Sequence, residues 1–336
     1  MPSLLSTVRA QTVAVETLRR AMAMGRVHHA YLFDGPDGVG KERTAFGLAQ
    51  ALVCELRGET ETEACGVCKS CVRAVPRPGD GAPLHPDVVV LERGLYEPAA
   101  IGRRTPETQD ISVDQVRTLV LARAAFAPHE GRAKVFIVRR ADELSPTAAN
   151  ALLKTLEEPG ARTHFVLLSS VGDSLLPTIR SRAQRVRFGP LPDDVVTELL
   201  AERGVERAHA EAIANLAGGS MATALVLSDA EASARRDEFV SRAMGALDAG
   251  SLSASLELAE DAKKVSRDAL VAQIGAFASA LAAKARAAVV KGASGDRTAD
   301  MAAARHGLAL ATTQQIEANA SAQLAVEAML IKMRAV

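Results

Sequence analysis

The chain has 336 residues, with 40 Lys plus Arg balanced by 40 Asp plus Glu, 48% apolar residues and 3% aromatics. That length predicts two or three domains, and zero net charge excludes a chain that grips nucleic acid through its overall charge. The greasy run from Phe277 to Val290 is broken by Lys284 and Arg286, so no membrane span is expected. Met1 to Gln11 lacks the pattern of a secretory signal, which makes the cytoplasm the expected compartment.

The first part of the chain alternates helical patterns with short apolar runs at Ala30 to Phe33, Asp87 to Leu91, Lys134 to Val138 and His164 to Leu168. Alternation of this kind predicts an α/β fold with a parallel sheet and helical crossovers. The first run leads into Asp34-Gly35-Pro-Asp-Gly38-Val-Gly40-Lys41-Glu42 and then a helical pattern from Arg43 to Leu56. Strand, glycine-rich turn and helix in that order, with Gly-x4-Gly-Lys spacing, predict a P-loop. Its glycines let backbone N–H groups wrap phosphates, and Lys41 is placed for the outer phosphates. Gly35, Gly38, Gly40, Lys41 and Glu42 are the candidate nucleotide-binding residues.

A working P-loop follows its lysine with Ser or Thr, whose hydroxyl ligates magnesium. Here that position is Glu42. A carboxylate suits the positive end of an empty helix but repels a polyphosphate, so binding of ATP and Mg2+ is expected to be weak or absent. The alternatives are that Thr44 partly substitutes, or that Glu42 is a capping charge facing solvent.

Downstream, Cys54, Cys65, Cys68 and Cys71 are the chain's four cysteines, spaced Cys-x10-Cys-x2-Cys-x2-Cys. In a reducing compartment this pattern predicts a closed four-thiolate zinc site, structural because no coordination position stays open. An iron–sulfur cluster and unligated buried thiols are the alternatives. The segment from Arg93 to Asp110 is the best candidate for a mobile loop.

The strand Val135 to Val138 should end in an Asp for magnesium and a Glu to activate water. It ends in Arg139 and Arg140, which have only donors and stay protonated, so neither role can be filled. Asp142 is a displaced candidate that a following turn aims differently. From Ala149 to Glu158 the pattern is a helix, with Leu152, Leu153 and Leu156 on its core side. All 14 prolines lie at or before Pro192. Beyond it, Asp193 to Ser228 reads as small helices, and Ala230 onward as all-helical, with Leu256, Leu258, Ala262, Val265, Leu270, Ile274 and Phe277 at three- and four-residue spacing.

Several stretches together resemble the clamp-loader branch of the AAA+ proteins. They are His29-Ala-Tyr31-Leu-Phe-Asp-Gly35-Pro with Gly38-Val-Gly40-Lys41, the four-cysteine insertion, His85-Pro-Asp87, Ile111 to Arg117, the block Ala149 to Pro159, and Leu176 to Ala183. The last looks like a Ser-Arg-Cys motif, with Ser181, Arg182 and, in the cysteine's place, Ala183. The resemblance is close up to about residue 230 and beyond that rests on length and character.

The resemblance implies an AAA+ P-loop domain with a parallel sheet at residues 1–187, carrying a zinc module at 54–71. A small helical lid at 188–230 and an all-helical C-terminal collar domain at 231–336 follow. It implies that Arg182 is an arginine finger acting in trans on a neighbouring subunit's ATP, a task suited to a planar, permanently charged group. Arg180, Arg185 and Arg187 are expected to be solvated or interfacial. In Gly219-Ser220-Met221-Ala222, Ala222 stands where the family's lid arginine would be. The implied partners are the delta and gamma or tau subunits of a DNA polymerase III clamp loader, with the sliding clamp and primed DNA met through the assembly. Two rival readings are an active gamma- or tau-type ATPase, and a zinc-bearing nucleic-acid adaptor.

Overall fold

The apolar runs form one five-stranded sheet in the order β2-β3-β4-β1-β5, every neighbouring pair parallel. The strands are β1 (Ala30–Asp34), β2 (Val88–Leu91), β3 (Lys134–Val138), β4 (Thr163–Ser169) and β5 (Gln184–Arg187). The structure is a computed structural model that describes residues 3–58, 60–77, 81–105, 110–248, 252–290, 297–317 and 320–336. β2 and β3 are buried along their whole length, as parallel strands covered on both faces must be. Phe136 and Phe165 stack between β3 and β4, ring centroids 5.1 Å apart. β5 was not among the expected strands. Its sequence Gln-Arg-Val-Arg is polar, and only Val186 is buried at this sheet edge.

Helix α1 (Thr12–Ala23) precedes β1, and the P-loop helix α2 (Lys41–Val53) is buried on all sides from Thr44 to Val53. Helix α3 (Pro146–Glu157) starts with Pro146 at its first position, and the Ser145 hydroxyl accepts a bond from Ala148 N at 3.2 Å. Leu152 and Leu156 are fully buried in the sheet's core, and Leu153 packs against it half-buried. Of the Arg93 to Asp110 segment, residues 106–109 lie outside the described residues. Its described part holds a short 3-10 turn, Pro98–Ile101, with Ile101 buried.

The chain divides into two compact units, Met1–Leu225 and Val226–Val336. The first contains the sheet together with α4 (Asp193–Ala201) and α5 (Arg207–Ala217), and α6 (Met221–Ser228) begins within it. The second is helical, its elements Ala230–Asp248, Ser253–Ala262, Arg267–Val290, Arg297–Glu317 and Ala322–Ala335. Its core gathers Leu258, Ala262, Leu270, Ile274 and Phe277 with Met329 and Met333. Leu256, counted in the same periodic run, is 46% exposed instead. Among the described residues no helix is long and apolar enough to cross a membrane.

Ahead of β2, the Asp87 carboxylate is buried and accepts backbone bonds from His129, Glu130 and Gly131 at 2.6 to 2.8 Å. It thereby ties the turn before β3 to the start of β2. Burial pushes its pKa up, but those three N–H donors outweigh burial and hold it below the ordinary carboxylate value. A group with a lowered folded pKa contributes its full stability above its unfolded value, about 3.9, and loses it as pH falls through the folded value. Asp87→Asn is therefore expected to cost about 2 kcal/mol at neutral pH. In urea unfolding followed by circular dichroism, the gap between variant and parent should close as the pH is lowered below 4.

Candidate functional site

Parallel register brings four strand ends to one edge of the sheet. Asp34 pairs with Ser169, and Leu91 pairs with Val138, so Glu92 and Arg139 follow side by side. The P-loop runs from this edge into α2. Gly38 has φ +75°, and a Cβ there would collide with the backbone nitrogen of Ala222, so only glycine fits. Lys41 is 8% exposed at its side chain. Its Nζ donates to the carbonyls of Gly35 and Pro36, the latter at 2.7 Å, and reaches Asp37 Oδ1 at 3.2 Å. The lysine thus closes its own loop.

The Arg139 guanidinium lies between three elements. Nη2 donates to Glu42 Oε1 on α2, and Nη1 to Glu92 Oε2 beyond β2 at 2.6 Å and to the Gly81 carbonyl at 3.0 Å. The cation also lies over the Phe46 ring, 5.7 Å from its centroid. Burial lowers the Arg139 pKa, but the two carboxylates outweigh it and keep the guanidinium charged. Glu42 therefore faces Arg139 across the edge. Thr44 is buried and donates its hydroxyl to the Gly40 carbonyl at 2.9 Å. Asp142 accepts from Ser169 Oγ at 2.6 Å. The donor set does not fit a magnesium ion: a guanidinium stands at the end of β3, the Glu42 carboxylate is taken by it, and the Thr44 hydroxyl is committed to its own helix. Arg140, with φ +47°, pairs with Glu143 at 3.2 Å.

Two further residues of this edge were missed from the sequence. Ser169 is buried at the end of β4 and also accepts from Val171 N at 3.1 Å. A serine pair, Ser169-Ser170, closing an apolar run was the available signal. Glu92 carried none, being a charged residue after a strand like many others. The start of α6 closes directly on the loop: Ser220 Oγ donates to the Asp37 carbonyl at 2.8 Å and Met221 N to the Gly38 carbonyl at 3.1 Å. Ala222, beside them, lines the cleft.

The four cysteine sulfurs lie within 4.8 Å of one another, with the Cys65 and Cys71 sulfurs 3.8 Å apart. Sulfurs about 2.3 Å from a common tetrahedral zinc are separated by about 3.8 Å, so the set fits a four-thiolate ion. Backbone N–H groups of Cys65, Cys68 and Cys71 point at the sulfurs of Cys54, Cys65 and Cys68 at 3.3 to 3.5 Å, the arrangement that favours thiolate. Burial pushes the Cys65 thiol up, but the N–H groups of Val67 and Cys68 and the neighbouring thiols bring it down to about 7. Burial foremost pushes Cys71 up. Cys54 ends α2, and Gln50 of the same helix donates to the Cys71 carbonyl at 3.1 Å.

Arg182 lies just past the short helix Pro177–Arg180. It forms an ion pair with Glu157 at the end of α3, and its Nη1 donates to the Thr178 carbonyl at 2.8 Å. Arg180 and Arg185 are not free in solvent: both bond Asp173 Oδ1, at 3.0 and 2.9 Å, and Arg185 Nε also reaches Asp34 at 2.9 Å. Arg187 is exposed.

Removing the Arg139 guanidinium leaves Glu92 and Glu42 facing each other uncompensated, whereas removing the half-exposed Glu42 charge leaves Arg139 its second carboxylate. Arg139→Gln is expected to cost about 1 to 3 kcal/mol and Glu42→Gln about 0.5 kcal/mol. A double-mutant cycle in urea should give a coupling of about 0.5 to 1 kcal/mol. Additivity would show that the pair exerts no mutual hold.

With this geometry in place, comparison with known proteins locates the chain. The DNA polymerase III gamma/tau subunit of Mycobacterium tuberculosis is 37% identical over 60% of this chain and 31% of its own length. The DNA polymerase III delta' subunit of Bacillus subtilis is 32% identical over 68% of this chain and 60% of its own length, and that of Pseudomonas aeruginosa 38% identical over 58% and 54%. The chain thus spans about a third of the gamma/tau relatives' length. A solved DNA polymerase III gamma subunit-related protein of Thermotoga maritima is 18% identical, covers 95% of this chain and 98% of its own, and has a TM-score of 0.49. The family model described as DNA polymerase III, delta subunit, matches residues 10–192, more than half of the chain, and the chain belongs to that family.

Proposed function

We propose that this chain is a non-hydrolysing, delta-prime-type subunit of a bacterial DNA polymerase III clamp loader. The reading is carried by one observation: Arg139, at the strand end where hydrolysis needs acids, is bonded to Glu42, at the helix position where it needs a magnesium-binding hydroxyl. The two positions on which turnover depends are satisfied by each other. Ala222 in place of a lid arginine, and Lys41 turned onto its own loop, support the same conclusion.

In this reading, residues 1–187 form the AAA+ domain, 188–230 the lid and 231–336 a collar through which the chain joins delta and gamma or tau subunits in the cytoplasm. Arg182 is the group the chain offers to its neighbour. Its partner Glu157 holds the guanidinium at the surface, and a transferring phosphoryl group, richer in negative charge, replaces that carboxylate when the neighbour docks. ATP is consumed next door, and the assembly places the sliding clamp on primed DNA. The gamma- or tau-type reading has the gamma/tau relatives at 37% identity behind it, but it requires chemistry at Glu42 and Arg139 that those side chains do not offer.

The test is ATP turnover by the assembled loader with clamp and primed DNA, comparing parent and Arg182→Ala. An arginine finger is worth about 10³ to 10⁵ at the site it serves, so the variant should assemble normally and lose that site's turnover, while the chain alone stays silent. Turnover by the chain alone, unaffected at Arg182, would establish the active ATPase instead.

The cysteine cluster is proposed to hold one structural zinc that fastens the 54–71 module to α2. Elemental analysis of purified protein should find one zinc per chain. Cys68→Ser should reduce zinc retention against a chelator and lower the melting temperature. Iron in its place, or four titratable thiols with no metal, would contradict this.

A further inference from the structure

The cysteine cluster stands where charge is hard to hold. Cys54 follows α2 directly, so the sulfurs gather at the C-terminal end of that helix, where the aligned peptide dipoles leave partial negative charge. A divalent ion held by four thiolates keeps a net double negative charge, and like charge at that end is unfavourable. The backbone N–H groups that point at the sulfurs of Cys54, Cys65 and Cys68 offset part of it. They bring dipoles and no full charge.

Full positive charge comes from two arginines. Arg57 folds back on the chain: its Nε donates to the Ala51 carbonyl in the last turn of α2 and its Nη1 to the Glu61 carbonyl, both at 2.6 Å. The guanidinium thus bridges the chain on either side of Cys54. Arg132, just ahead of β3, reaches the same stretch from the sheet, Nη1 donating to the Arg57 carbonyl at 2.5 Å and Nη2 to the Glu55 carbonyl at 2.9 Å. All of these acceptors are neutral carbonyls, and among the described residues neither arginine forms an ion pair with a carboxylate. The module's other cations are placed differently: Arg73 is paired with Glu130, and Lys69 is exposed on the short helix Lys69–Arg73. Burial foremost, and then the charge of Arg132, lower the Arg57 pKa, while Cys54 and Glu61 raise it. Capping of α2 accounts for the bond to Ala51. It does not account for two cations without carboxylate partners converging on the stretch around Cys54.

We propose that Arg57 and Arg132 are the counter-cations of the cysteine centre: they offset the net charge of the loaded four-thiolate site at the negative end of α2, and so set how firmly its zinc is kept. Groups outside the ligand set tune a metal site by charge and by orientation, and here the two are separable. Arg57 supplies charge beside Cys54, and its bonds to Ala51 and Glu61 supply the bracing. The inference rests on the zinc reading given above and adds to it which residues other than the cysteines govern retention. It does not involve Arg182 or the P-loop.

Zinc release from the full chain into excess pyridylazoresorcinol, read by absorbance, tests it. Arg57→Gln is expected to release zinc about tenfold faster than the parent, with Arg132→Gln changed in the same direction. Arg57→Lys, which keeps the charge and loses the forked bonds, should stay close to the parent. The gap between parent and Arg57→Gln should narrow as sodium chloride rises, because salt screens the charge that the variant lacks. Melting temperatures of the zinc-loaded and zinc-stripped forms give a second readout: loss of a counter-cation lowers the loaded form's value more than the stripped form's, whereas loss of a brace lowers both alike. Equal release from parent and Arg57→Gln, release from Arg57→Lys as fast as from Arg57→Gln, or an equal fall in both melting temperatures would overturn the proposal and leave the zinc reading standing. A parent that holds no zinc would overturn both.

Discussion

The arrangement depends on one constraint: parallel strands in register end together. Because Asp34 pairs with Ser169 and Leu91 with Val138, the residues that follow the strands are forced onto one edge, with the N-terminus of α2 beside them. Polar groups crowded there must either face a ligand or satisfy one another. In this chain they bond one another, with Arg139 Nε left without a partner among the described residues. Arg139 draws in Glu42 and Glu92, Ser169 holds Asp142, and Arg185 holds Asp34. The sheet brings the strand ends together, and the chemistry along that edge is that of a charge network.

Much of this was legible in the sequence because the signals are local. Apolar runs of four or five residues, the Gly-x4-Gly-Lys turn and the cysteine spacing each depend on neighbours within a short stretch. β5 escaped because a polar edge strand shows only one buried residue, Val186. Leu256 fitted the helical period and still faces out, since periodicity cannot say where a helical core stops. The partners of Arg139 were beyond reach for a different reason. Glu42 is 97 residues away, and no periodicity links two charges that meet only after four strands have aligned. The sequence shows that both positions are unsuited to magnesium, but not that they bond. Arg180 and Arg185 likewise find Asp173 and Asp34 only in the fold.

Helix α2 connects the two sites. Its first turn carries Lys41 and Glu42, and the chain leaves it at Cys54. Gln50 meets Cys71 twice: its side chain donates to the Cys71 carbonyl, and its own carbonyl lies 3.9 Å from the Cys71 sulfur. Held by charge at one end and by the cysteine cluster at the other, the helix has little freedom to shift along its axis.

The pairing of Glu42 with Arg139 also couples what substitution can do at the two positions. A hydroxyl at position 42 alone would strip Arg139 of one of its two carboxylates. An acid at position 139 alone would set three carboxylates against one another at the same edge, with Glu42 and Glu92 already in place. Each single change leaves charge uncompensated, so the two side chains behave as one unit of sequence: what either position tolerates is set by what stands at the other.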